Sequence, residues 1–178
     1  MSNKYDCTDD VLEHRKRVSF WIHWIIEVLE YRAEHHDESK LESPEKEIFD
    51  EFTPKLKEFA FGSDEYRAAL ANMGEALNHH YQNNPHHPEY FKRGINGMSI
   101  WDVVEMLADW MAATSVKNQF MNLDLLQERF AISPQLRNII ANSLWAADMD
   151  AINSRIPLEY MQISNFVEGD KGKDTEVG

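Results

Sequence analysis

A lone cysteine, Cys7, leaves the 178-residue chain with no internal disulfide. A reducing compartment suits it, and the cytoplasm is the expected location. Glycine and proline are scarce, at 7 and 6, so long stretches contain nothing to break a helix. No apolar run approaches the roughly 20 residues needed to cross a bilayer, and no membrane association is expected. The opening MSNKYDCTDD has no basic segment leading into an apolar one, so no secretory signal is expected. Basic residues are also in deficit: 18 Lys and Arg stand against 31 Asp and Glu, a net charge of −13. Broad nucleic-acid binding is therefore excluded, because no basic stripe is available to displace condensed counterions. A small phosphorylated ligand is still compatible with that charge, since a bound metal supplies a local positive field.

Alternating apolar patterns are missing as well, and that points to an all-α, single-domain helical bundle. Residues 9–32 carry no Gly or Pro and place Val18, Trp21, Ile22, Ile25, Val28 and Leu29 at helical spacing. Ser43-Pro44-Glu45 reads as a helix start, with a run to about Phe59 and a kink at Pro54. Gly62-Ser63-Asp64-Glu65 starts another helix, whose stripe is Leu70, Met73, Leu77 and His80. Residues 83–99 form the main loop. Ser99 caps a helix from Ile100 to about Phe120, and Ser133-Pro134 opens the last, to about Ile152. The expected division is a helical domain over 1–165 and a flexible acidic tail over 166–178. Phe20, Trp21 and Trp24, spread around the first helix, suggest a homodimer contact.

Histidine is absent after residue 87. The eight lie at 14, 23, 35, 36, 79, 80, 86 and 87, and six of them form adjacent pairs. Metal sites need imidazole and carboxylate ligands converging from different elements. His36-Asp37, at the end of the first helix, is one candidate; the plain alternative is a polar helix end. His79-His80 is the second, with His80 on the inward stripe; a hydrogen-bonded core histidine is the alternative, and His86-His87 close by favours metal. Asp109 is the third, among Met106, Leu107, Trp110 and Met111, with Glu105 one turn earlier on the same face. A carboxylate in that setting needs a positive partner. A metal serves, and so does Arg32 or Arg137 in a buried ion pair.

These stretches in this order resemble the HD superfamily of metal-dependent phosphohydrolases. His36-Asp37-Glu38-Ser39-Lys40 is similar to that superfamily's His-Asp-x-Gly-Lys, with Ser39 in place of glycine. His86-His87-Pro88-Glu89 resembles the His-His-Glu stretch of its HD-GYP branch. The run 107–114 looks like the helix bearing its last aspartate ligand. More closely, residues 32–114 resemble a family of small phage and bacterial proteins with the patterns RA..HD.SKL..PE, HHY.NN.HHPE and VEML.DW.A.T. A phage origin would make the compartment the host cytoplasm.

The resemblance implies an HD-like fold holding one or two divalent ions (Mn, Mg, Co, Zn or Fe). His36, Asp37, Asp109 and His79 or His80 would hold the main metal. His86 and His87 would serve a second metal or the substrate. Asp37 would also orient the attacking water, and Lys40 would meet a phosphate oxygen. Lys40, Arg93 and Glu105 are the expected substrate contacts, although Lys92-Arg93 reads equally as a solvated loop. The implied activity is hydrolysis of a nucleotide or other small phosphorylated molecule. The alternatives are an HD-type di-iron oxygenase and a non-enzymatic phage-type binding or inhibitor protein. One feature departs from the pattern: HD proteins usually supply an earlier histidine from the first helix, and His14, the match here, stands roughly 33 Å from His36 if the helix is unbroken. Either the helix breaks near residues 23–26 or His14 serves elsewhere, for instance across a dimer, and it is left out of the metal set.

Overall fold

The computed structural model describes residues 5–60, 62–116 and 121–153, with the side chains of 115, 116 and 145–153 left aside. The described residues are all-α: seven helices joined by short turns and 3-10 segments, with no strand element. None of the helices is long and apolar enough to cross a membrane. The expected tail over 166–178 lies outside the described residues, as does the end of the helix expected to reach Phe120. The chain divides into two compact units between Glu38 and Ser39.

The first unit is essentially one helix, α1 (Thr8–Glu34), with Asp9 and Asp10 in its first turn and Arg32 in its last. Both placements suit the helix dipole. The helix is unbroken from His14 to its end at Glu34, roughly 30 Å at about 1.5 Å per residue, so His14 lies far along the helix from the turn that holds His36. His23 and His35 are satisfied locally, their Nδ1 atoms 2.7 and 2.8 Å from the carbonyls of Ser19 and Tyr31. Past the C-cap His35 the chain turns sharply, with Asp37 in the left-handed region at φ 58°.

The second unit holds α2 (Glu45–Glu58), α3 (Asp64–Asn72), α4 (Gly74–Asn83), α5 (Ile100–Val116), α6 (Leu123–Phe130) and α7 (Pro134–Asn153). Helix α2 starts at Glu45 with Pro44 as its cap residue, one position later than a Ser43 cap would give. Pro54 lies inside α2 without ending it. The stripe Leu70 to His80 is carried by two helices rather than one. Gly74, at φ +53°, breaks the chain between α3 and α4. Ser63 caps α3 by accepting from the Tyr66 amide. At the head of α5, Ser99 and Asp102 form a reciprocal cap: the Ser99 amide donates to Asp102 Oδ2 at 2.7 Å, and Ser99 Oγ accepts from the Asp102 amide at 3.3 Å. Asn122 caps the short helix α6, which periodicity did not announce.

The apolar core of this unit joins α5, α6 and α7 through Met106, Trp110, Leu123, Leu126, Ile140 and Leu144. Trp110 stacks on Phe130 with ring centres 5.3 Å apart. A second buried patch, Ala69, Met73 and Ala76, seats the α3–α4 pair.

Candidate metal centre

His79 and His80 occupy the final turn of α4, and Pro85 then prevents the helix from continuing. Asn84, before that proline, is extended at φ −120°, ψ 99°, as the residue preceding a proline must be. Its side-chain amide donates to the His80 carbonyl and to Ser39 Oγ, both at 2.8 Å. The turn closes with the His87 amide donating to the Asn84 carbonyl at 3.1 Å. The chain thus folds back, bringing His86 and His87 against His80. Pro88, buried, opens a 3-10 turn that leads the chain away from the histidines.

The result is a cluster of three imidazoles. His80, His86 and His87 each offer a ring nitrogen within 4.8 Å of the other two. His80 and His86 are buried, at 2% and 1% exposure, while His87 is half-buried. The His80 and His87 Nε2 atoms lie 2.8 Å apart.

Two buried or half-buried carboxylates set the tautomers. Glu45, fully buried, accepts from His80 Nδ1 at 2.9 Å through Oε2 and from His79 Nδ1 at 2.7 Å through Oε1. Ser39 Oγ donates to the same Oε2 at 3.0 Å. Glu105 Oε1 lies 3.0 Å from His86 Nδ1. A carboxylate only accepts, so Nδ1 of His80 carries the hydrogen, and in the neutral ring Nε2 keeps its lone pair. The Glu105–His86 contact imposes the same state. Carboxylates behind imidazoles are the usual outer partners of metal-ligating histidines.

The donor set fits a divalent ion. With metal–nitrogen bonds of about 2.0–2.1 Å, two neighbouring ligand nitrogens stand roughly 2.9–3.4 Å apart. The 2.8 Å between the His80 and His87 nitrogens is close to that. Three neutral nitrogen donors suit Zn, Co, Mn or Fe better than Mg, which prefers oxygen.

The remaining expected site residues have varied settings. His79 is outside the cluster, its side chain 42% exposed, on the far oxygen of Glu45. Glu105 sits behind His86 and belongs to the histidine cluster. Asp109, one turn further along α5, lines a cavity of about 690 Å³ together with His80, His87 and Lys40. Among the described residues, Asp109 is not one of the donors that converge within 4.8 Å. Burial and the Asp109 carboxylate hold the Tyr66 phenol above its ordinary pKa, with Arg129 opposing them. Arg137, one of the partners weighed for Asp109, binds Asp124 at 2.6 Å. Lys40 Nζ lies 4.8 Å above the Phe49 ring at the cavity. Arg93 is exposed and donates to the Asn96 carbonyl at 2.6 Å, which ties up its own loop. His36 and Asp37 close the first unit, with His36 Nε2 3.5 Å from Asp37 Oδ2.

Sequence reasoning passed over Glu45, treating it only as a first-turn acid. The available signal was its place in SKL..PE, on the same resembling stretch as His36-Asp37. Arg129, which lines the cavity, gave none.

The chain belongs to a family described as a family of unknown function (DUF5662), whose family model matches residues 3–146. No curated protein and no solved structure matches it.

Proposed function

We propose that this member of the family is a divalent-metal-dependent phosphohydrolase acting on a small phosphorylated molecule, with a nucleotide the class implied by the sequence resemblance. The observation that carries the reading is the three-histidine cluster with carboxylates behind two of its rings. His80, His86 and His87 would hold the ion. A bound divalent ion supplies Lewis-acid polarisation of a phosphoryl oxygen and of an attacking water. The resemblance adds His36, Asp37 and Asp109 as further ligands, and that part of the reading rests on sequence.

The cavity beside the cluster supports a phosphorylated substrate. Lys40, Lys46, Lys57 and Arg129 outnumber the carboxylates Asp50 and Asp109 in its lining, with Lys46 paired to Asp50 at 2.8 Å, in a chain that is acidic overall. Phe49, Tyr66, Tyr81 and Phe130 supply apolar faces. About 690 Å³ is within the range of small-molecule sites. Lys40, whose ammonium lies 4.8 Å over the Phe49 ring at the cavity, would offset phosphate charge. Buried Glu45 and half-buried Glu105 keep the imidazoles oriented.

The test is phosphate release from a nucleotide panel with Mn, Mg, Co and Fe in turn. Release that is lost in His87→Ala and falls at least about tenfold in Lys40→Ala supports the reading. No release with any metal overturns it.

A second reading, an iron-dependent oxidative enzyme, is favoured by the nitrogen-rich donor set. Two irons per chain and a visible absorption band in protein purified without added metal would select it. A nucleotide that co-purifies unhydrolysed would instead select the binding-protein alternative.

A further inference from the structure

Helix α1 buries none of its residues, yet it is rich in large apolar side chains. Phe20 is 63% exposed, Trp21 58%, Trp24 43% and Tyr31 63%. Phe20 packs edge-on against Trp21, and Trp21 against Trp24, with ring centres 5.3 and 5.9 Å apart. Glu13, Arg17, Phe20, Trp24, Glu27, Tyr31 and Glu34 recur at alternating spacings of four and three. That spacing keeps one stripe along a helix, aromatic at Phe20, Trp24 and Tyr31 and charged at the other four positions, so a helix packed on it must meet those charges with opposite ones.

Charges of both signs lie along α1, with Asp9, Asp10 and Glu13 in its first half and Arg32 in its second, but within the stripe Arg17 stands before the aromatic centre and Glu27 after it. Arg15, Lys16 and Arg17 lie before the aromatic centre, and Glu27, Glu30 and Glu34 after it. A parallel copy would set Arg17 against Arg17 and Glu27 against Glu27. An antiparallel copy sets opposite charges together.

We infer that α1 is an interaction surface for a second copy of this chain, packed antiparallel about a two-fold axis near Ile22. In this register the stripe matches itself. Phe20 meets Trp24 of the second copy, Arg17 meets Glu27, and Glu13 meets Tyr31. Only the outermost pair, Asp10 against Glu34, is like-charged, and it falls at exposed helix ends where salt screens best. A two-fold contact requires this self-complementarity. The exposed parts of Phe20, Trp24 and Tyr31 alone come to roughly 300–400 Å², about half of the ~800 Å² per partner of a standard interface. Glu13 already contacts Arg17 within the helix at 3.4 Å, but an exposed pair of that kind is worth little and exchanges readily.

The test is sedimentation equilibrium of the full chain with helicity followed by circular dichroism. A dimer at micromolar concentration is expected. Phe20→Glu should weaken it ~30-fold or more with helicity kept. Arg17→Glu should weaken it, and Arg17→Glu with Glu27→Arg should restore it. Orientation is read in a Cys7→Ser background by air oxidation. Arg17→Cys mixed with Glu27→Cys should cross-link between chains, while each alone should not, since two copies of position 17 would stand roughly 15 Å apart along the seam. A monomer up to ~100 μM overturns the inference and leaves the face to some other occupant. A dimer that cross-links through Arg17→Cys alone, or is indifferent to Phe20→Glu, overturns it too.

Discussion

Glu45 Oε2 lies 2.9 Å from His80 Nδ1, and its other oxygen lies 2.7 Å from His79 Nδ1. A fully buried carboxylate therefore spans two adjacent histidines, one inside the cluster and one 42% exposed. The buried charge is tolerable because both oxygens are met by donors. The same contact fixes which nitrogen His80 presents to the cluster. Glu45→Gln keeps the volume but can accept from only one ring, so the other imidazole must reorient or move its hydrogen to Nε2, which in His80 removes the lone pair facing the cluster. Metal affinity by titration calorimetry should fall by about 10–100-fold. Glu45→Ala should in addition cost about 1–3 kcal/mol of stability in chelator, because buried donors lose their acceptor. Unchanged affinity in Glu45→Gln would remove Glu45 from the site.

Metal should stabilise the fold by mass action. At a free metal concentration a hundred times Kd the gain is about 2.7 kcal/mol, seen as a higher Tm than in chelator. His80→Ala, His86→Ala and His87→Ala should each abolish most of that gain, and His79→Ala should keep most of it. Because each variant is compared with itself with and without metal, a general loss of stability does not confuse the result. A gain that depends on His79 and not on His87 would show that the cluster was read wrongly.

How much of the molecule was legible in its sequence depended on whether the signal was local. The all-α class followed from periodicity, and the caps at Ser63 and Ser99 from residue type, because both act over a few neighbouring residues. The nearness of His86-His87 to His79-His80 was legible along the chain, but not that His80, His86 and His87 form one cluster. The resemblance assigns the first to the main metal and the other two to a second metal or the substrate, and it is the turn at Pro85 that brings them together. The break at Gly74 was not legible either: the stripe runs through it, and a lone glycine within a helical pattern is often tolerated. Glu45 was missed because its partners lie 34 and 35 residues away. Its burial comes from packing of α2 on α4, and an acid in a first helical turn reads locally as a dipole partner. Nothing on α6 has the length or stripe to announce a helix, and the cap at Asn122 is its main local cue.

Tyr66 and Tyr81 give a pH dependence with a definite sign. Burial is the main cause raising both phenols above 10.0; Asp109 adds to it at Tyr66 and Glu89 at Tyr81, while Arg129 opposes it at both. A raised folded-state pKa favours the protonated folded form. Stability from this source is fully present below the unfolded value of 10.0 and is lost as pH rises through the folded value. Denaturant unfolding should therefore show little tyrosine-linked change up to about pH 9 and a decline above about pH 10. Tyr66→Phe with Tyr81→Phe should flatten that decline. A decline of the same steepness in the double variant would assign it to other groups.

Gly74 adopts φ +53°, and a side chain there would meet nothing within 4 Å. Space is therefore not the constraint; backbone conformation is. A β-carbon in the left-handed region costs roughly 1–2 kcal/mol, and asparagine tolerates the region better than alanine does. Gly74→Ala should destabilise by about that amount in chelator, and Gly74→Asn by less. The break at Gly74 also sets the direction of α4, and hence where His80 stands. If alanine instead straightens α3 into α4, the strain disappears, but His80 leaves Glu45 and the metal-dependent rise in Tm goes with it. Equal stability of Gly74→Ala with the metal response intact would mean that the break is dictated by packing of Ala69, Met73 and Ala76 and not by the glycine.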